Sequence, residues 1–198
     1  MLFMPRVRLL AKDRRVLIVD AAFALLAASG FEGLRTRDVA LAAKINSATL
    51  HHYFPTKEDL VAAIAERLAE RFTTEHAPPL RGKGARTALR QQFADVTYYC
   101  EHQPELIAVY RELAVRALRD QPTRVLVGRV DERWRDSVEA IMRLGKNEGI
   151  FRSDLEPAAA ANLVVAALWG AVAFRRIAPT TFKRMCDELE SGFRERKG

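Results

Sequence analysis

The chain has 198 residues, 49% of them hydrophobic, which is enough for one or two packed units and excludes a disordered polypeptide. Its net charge of +7 is unevenly placed: residues 1–57 hold nine Lys or Arg against four Asp or Glu, a balance of +5, and the remainder balances at +2. A basic excess gathered at one end points to a polyanion bound there rather than to a uniformly solubilising surface.

The start, MLFMPRVRLLAKDRR, is too charged and too short in its apolar run for a secretory signal, and reads as a basic arm suited to phosphates or a minor groove. A first helix is predicted from Arg14 to Ser29, with Ile18, Ala22, Leu25 and Leu26 on one face and Gly30 ending it in a left-handed cap. Thr36 reads as the side-chain cap of a second helix, with Asp38 in its first turn and Val39, Ala40 and Ala43 at helical spacing. Lys44-Ile45 interrupts that helix, and Asn46 caps a third running from Ser47 to Tyr53. Pro55 stops it, and Thr56 with Asp59 three residues on opens a fourth, Lys57 to Thr74, in which Leu60, Ile64, Leu68 and Phe72 recur every four residues. Two short helices joined by so tight a turn fit a helix-turn-helix, whose second helix enters the DNA major groove.

His76 to Gly84, HAPPLRGKG, is a breaker cluster and marks a boundary. Helices are predicted at Ala85–Glu101, Pro104–Ala117 and Pro122–Lys146, the last with Val127, Val130, Trp134, Val138, Ile141 and Leu144 as a core stripe and Gly149 as its cap. An eighth follows Pro157, and a ninth follows Pro179 with Phe182, Met185, Cys186, Leu189 and Phe193 on one face. The apolar run from Ala158 to Phe174 is short, alanine-rich and broken by Asn162, so it reads as a buried helix, with no membrane implied. No segment alternates with period two. The expected fold is all-α, with about nine helices: a DNA-binding helix-turn-helix domain with its basic arm at 1–56, a connector helix at 57–75 and a ligand-binding and dimerisation domain at 76–198.

Ser47, Ala48 and Thr49 sit in the first turn of the third helix, where small residues allow close approach and Thr49 can hydrogen-bond or present its methyl to thymine. His51 and His52 point about 100° apart, so they cannot share a metal, and are candidates for phosphate or base contact. Lys57 lies in a helix's first turn, where free N–H groups already favour an anion, and makes a phosphate clamp. Arg37 and Thr36 follow the same logic, and Lys44 in the turn either adds a contact or is merely exposed. Tyr53 can donate its hydroxyl to phosphate at the groove edge. Enzyme motifs are missing: no Gly-rich phosphate loop, HExxH or GxSxG occurs, and Cys100 and Cys186 match no metal spacing. No cofactor or metal is expected. The candidates for an effector pocket in the second domain are Phe93, Tyr98, Tyr99, His102, Tyr110, Trp134, Met142 and Trp169, some of which simply fill the core.

The residues Ile18, Ala21-Ala22, Leu25-Leu26, Gly30-Phe31, Thr36, Val39-Ala40, Ala42-Ala43, Ile45, Thr49-Leu50, Tyr53-Phe54 and Lys57-Glu58-Asp59-Leu60 resemble, in order and without gaps, the DNA-binding domain of the TetR family of bacterial transcriptional regulators. The resemblance covers the first third of the chain. It departs at Lys44, where the family usually has glycine, and at His51, where it usually has tyrosine. The resemblance implies a homodimeric, cytoplasmic repressor that binds a double-stranded DNA operator and is released by a small-molecule effector, with the helix from Lys57 as lever. It also implies a dimer through a four-helix bundle of the helices near 157–176 and 180–196, so that charged substitutions at Leu168 and Leu189 would give monomers. The alternative is a helical ligand-binding or protein-interaction module that has lost DNA binding, given Lys44 and His51.

Overall fold

The computed structural model describes residues 11–74, 84–173 and 177–195. These form nine helices and no strand: α1 (Ala11–Gly33), α2 (Thr36–Ala42), α3 (Ser47–Tyr53), α4 (Lys57–Thr74), α5 (Ala85–His102), α6 (Pro104–Ala117), α7 (Gln121–Asn147), α8 (Pro157–Ala173) and α9 (Pro179–Phe193). The all-α expectation holds. Residues 1–10 of the basic arm, the last connector residue 75, 76–83 of the breaker cluster, and 174–176 and 196 of the expected interface helices lie outside the described residues.

Local chemistry explains most boundaries. Thr56 and Asp59 cap α4 reciprocally: the Asp59 N–H donates to Thr56 Oγ1 at 3.1 Å and the Thr56 N–H to Asp59 Oδ2 at 3.0 Å. Asp120 caps α7 by accepting from the Thr123 N–H at 2.8 Å, placing its start at Gln121, one residue before Pro122. Two expectations need correction. Thr36 is the first residue of α2 and not its cap; Arg35 takes that position with extended backbone and no side-chain hydrogen bond. Gly30 interrupts α1 at φ 62°, ψ −168°, a region essentially open only to glycine, but the helix resumes to Gly33.

α2 and α7 end in the same device. Lys44 N–H donates to Leu41 O and Ile45 N–H to Ala40 O, while Gly149 N–H donates to Lys146 O and Ile150 N–H to Gly145 O. Both are Schellman motifs, and both need a left-handed residue at the turn: Gly149 has φ 65° and Lys44 has φ 55°.

Two apolar clusters hold the chain together. One gathers α1–α4 and continues into α6 and the start of α7 through Leu106, Val109, Leu113 and Val127. The other joins α5, the rest of α7, α8 and α9 around Ile141, Met142, Phe151 and Leu168. α1 is long and apolar enough to cross a membrane by length and composition, yet Ile18, Ala22 and Leu26 are fully buried in the first cluster. Leu168 corrects a further expectation. It is fully buried in the chain's own core and cannot face a partner copy, whereas Leu163, five residues earlier, is 53% exposed.

Candidate nucleic-acid interface and effector site

α3 is only seven residues long, so its position depends on anchors at both ends. Leu50 is fully buried, Phe54 follows it into the core, and Asn46 Oδ1 accepts from the Thr49 N–H at 2.7 Å. With Leu50 turned inward, Ser47, Ala48, His51 and His52 form the exposed face, at the i, i+1, i+4, i+5 spacing of one helix side. Thr49 and Tyr53 are half-buried at its margins, the Tyr53 ring meeting His52 edge-to-face at 5.5 Å.

Cations stand on the turn and helices next to α3 in the chain. Lys44 is exposed in the turn, and Arg37 is exposed on α2 with its Nε 3.9 Å from Asp38. Thr36 is half-buried at the start of α2, and Lys57 is half-buried in the first turn of α4. There the capping box already occupies the Asp59 N–H. Hydrogen bonds from the Thr56 hydroxyl, then from its N–H, hold the Asp59 carboxyl below the ordinary range. Anion affinity at this helix start therefore rests on Lys57 and the remaining N–H groups, less than four free donors would supply. Leu41, which carried no motif, stands 78% exposed at the end of α2, three residues before Lys44.

The eight effector candidates divide into three environments. Tyr99, Tyr110 and Trp169 come together with Phe72: Tyr110 stacks on Trp169 at 4.1 Å between centroids, and Phe72 meets Tyr99 and Tyr110 edge-to-face at 5.1 and 5.8 Å. The Tyr110 hydroxyl donates to Asp131; burial, then the Asp131 charge, pushes that phenol far above its usual range. Burial, helped by the Glu132 charge, also lifts the Asp131 carboxyl, against the Tyr110 hydrogen bond and the Arg135 charge that lower it. Phe93 and Met142 are buried in the second cluster, beside Trp134, whose indole N–H donates to Gln92 Oε1 at 3.0 Å. Tyr98 and His102 lie outside, stacked on each other at 4.7 Å and exposed.

A cavity of about 310 Å³ opens between α5, α6, the end of α8 and the start of α9, and none of those eight residues lines it. Its walls are mainly aliphatic, with Arg111 and Glu101 among the polar groups. Such residues have no sequence signature, because aliphatic walls look like core and a single arginine looks like surface.

A family model described as bacterial regulatory proteins, tetR family, matches residues 18–64, a span from α1 into α4 that includes the candidate interface residues. The chain is 31% identical over 143 residues to the HTH-type transcriptional regulator CymR of Pseudomonas putida, covering 70% of this chain and 68% of that protein. It is 29% identical over 143 residues to the HTH-type transcriptional repressor NicS of Pseudomonas putida KT2440, covering 70% and 66%. In fold it is similar to a Saccharomonospora viridis protein solved in complex with choline, with a TM-score of 0.81 at 21% identity over 93% of this chain and 100% of that one.

Proposed function

Since the chain belongs to the TetR family of bacterial regulatory proteins, we propose that it is a homodimeric cytoplasmic repressor, released from a near-palindromic operator by a small-molecule effector. The observation that carries this reading is the outward face of α3, four side chains without core duties, with Lys44, Arg37 and Lys57 on the turn and helices next to it in the chain. Ser47, Ala48, Thr49 and His51 meet base edges in the major groove. Thr36, Arg37, Lys44, His52, Tyr53 and Lys57 meet phosphate, and the basic arm adds to them. Residues 1–56 carry DNA binding, 57–75 connect, and 76–198 hold effector and partner.

The partner meets α8 and α9. On α8, Ala159, Leu163 and Ala166 are exposed at i, i+4, i+7, a stripe whose small residues allow close helix approach. Two-fold symmetry then sets the operator half-sites about one helical turn (~34–36 Å) or a multiple apart.

Phosphate clamps and base readers separate by mutation. An operator is first selected from random DNA, and affinity is followed by fluorescence anisotropy across a salt series. Lys57→Ala should weaken binding to every sequence alike and lower the salt slope by about one unit. Thr49→Ala should relax preference at one base pair by about 1–3 kcal/mol. Full affinity and selectivity in both variants would remove α3 and the start of α4 from the interface.

A further inference from the structure

The cavity between α5, α6, α8 and α9 has a polarity that names a class of ligand. Val96, Ile107, Val172 and Phe182 give it an apolar body. Arg111 and Glu101 are charged groups on its wall, and they differ in setting: Glu101 is exposed, whereas Arg111 is half-buried. Among the described residues Arg111 makes no ion pair and no hydrogen bond to a side chain, unlike Arg71, Arg90, Arg116 and Arg124, which hold carboxylate, amide or carbonyl oxygens. A half-buried guanidinium with no such partner among the described residues presents a planar fork of donors and a positive charge to the cavity, which suits an anion.

Distance separates the two charges. Ile107, Ala108 and Arg111 line the cavity from one face of α6, and Pro104 begins that helix. Seven residues at 1.5 Å rise put Arg111 on the order of 10 Å from the Pro104 end, where Glu101 stands. The two groups form no ion pair, and Glu101 is exposed, where water and salt screen its charge more than that of the half-buried Arg111. A dry cavity of about 150 Å³ holds benzene, so one of about 310 Å³ has room for a short acyl chain or a substituted ring.

We propose that this cavity binds a small hydrophobic carboxylate, with the acid group on the Arg111 guanidinium and the hydrocarbon against Val96, Ile107, Val172 and Phe182. The site deepens the reading of the chain as an effector-controlled regulator, and its occupancy is measured apart from the operator.

The test is calorimetric titration of the full chain with octanoate, octanamide and octyltrimethylammonium, three probes with one hydrocarbon body and different heads. Octanoate should bind about ten-fold or more tighter than octanamide, the ratio that a charge-assisted contact supports. Octyltrimethylammonium should bind weakest. Arg111→Gln should bring octanoate down to the level of octanamide and leave octanamide unchanged, with its unfolding midpoint held as a fold control. Ala108→Trp, which fills the cavity, should remove both. Equal binding of acid and amide, preference for the cation, or wild-type octanoate affinity in Arg111→Gln would overturn the proposal. Operator affinity with and without octanoate is then a separate readout: binding without release sinks the effector role while leaving the site, and a failed operator titration leaves the calorimetry untouched.

Discussion

Lys44 stands where the backbone calls for glycine, and the cost can be worked from the two Schellman turns. A non-glycine residue in the left-handed region costs about 1–2 kcal/mol, and Lys44 is held there at φ 55° by the hydrogen bonds Lys44 N–H to Leu41 O and Ile45 N–H to Ala40 O. Its side chain is exposed, so Lys44→Gly forfeits no packing. Glycine returns about 0.5–1 kcal/mol of that gain through the greater freedom of its unfolded chain. The net is a stabilisation of about 0.5–1 kcal/mol, or roughly 1–4 °C in midpoint for a chain of this size. Lys44→Ala keeps the strain and should stay near wild type. Gly149→Ala supplies the mirror image, since Gly149 occupies the same position at φ 65° with open space where a Cβ would stand, and it should lose about 1 kcal/mol. Urea unfolding at constant slope reads all three. Affinity for the operator separates charge from strain, because a phosphate contact at Lys44 would be lost equally in the glycine and alanine variants, with a salt slope lower by about 0.9. A Lys44→Gly protein no more stable than Lys44→Ala would refute the strain argument.

Asn46→Ala removes the one side-chain cap of α3 and should cost about 1 kcal/mol, with weaker operator binding; unchanged stability would show that the bond to Thr49 N–H holds nothing. Glu190 is buried against Arg86, Arg90 and Arg194. Burial pushes its carboxyl up, but hydrogen bonds from Arg90 and Arg194, then their charges, pull it further down, to a net value below the ordinary range. A depressed folded value means stability that is full above the unfolded value, near 4.3, and lost as pH falls through the folded one. Glu190→Gln should therefore be about 1–2 kcal/mol less stable at pH 7, and the gap should close below about pH 4; a gap constant from pH 7 to 3 would exclude Glu190 as its source. For assembly, Leu163→Asp should give a folded monomer by light scattering, whereas Leu168→Asp should unfold the chain. A Leu163→Asp dimer of wild-type affinity would move the interface off this face of α8.

What was legible in the sequence was what a few neighbouring residues decide. Asn46 capping α3, the Thr56–Asp59 box and the glycine closing α7 depend on side chains within three or four positions, and each appears where local chemistry puts it. Thr36 misled because a threonine beside an acidic turn has the composition of a cap, while the actual cap, Arg35, uses only backbone geometry. α8 misled for another reason. Apart from Asn162 its residues are apolar all round, so periodicity cannot say whether Leu163 or Leu168 points to the chain's own core. The aromatic residues were conspicuous but mostly fill space, and the cavity is made by where α5, α6, α8 and α9 fail to touch. No local pattern encodes such a gap.

α6 links that gap to the DNA-binding helices. At its start, Glu105 accepts from Arg71 of α4 at 3.0 Å, and Gln103 just before it accepts from the same guanidinium at 3.1 Å. At its end, Glu112 accepts from the Phe31 N–H at 3.3 Å, filling the space that Gly30 leaves for lack of a Cβ. Arg116 lies over the Phe31 ring at 4.9 Å and reaches Glu58 at 3.9 Å. Arg111, on the cavity wall, precedes Glu112 by one residue. Beside the chain connection through α4, α6 contacts α1 and α4 directly, and a ligand on Arg111, as proposed above, would bear on the helix that makes those contacts. Contact alone does not release DNA. In the proposed regulator, a hundred-fold loss of operator affinity requires about 2.7 kcal/mol of difference between the ligand's affinities for the DNA-binding and released arrangements. A few contacts of α6 with Phe31 and Arg71, made in one arrangement and broken in the other, are of the size to carry it.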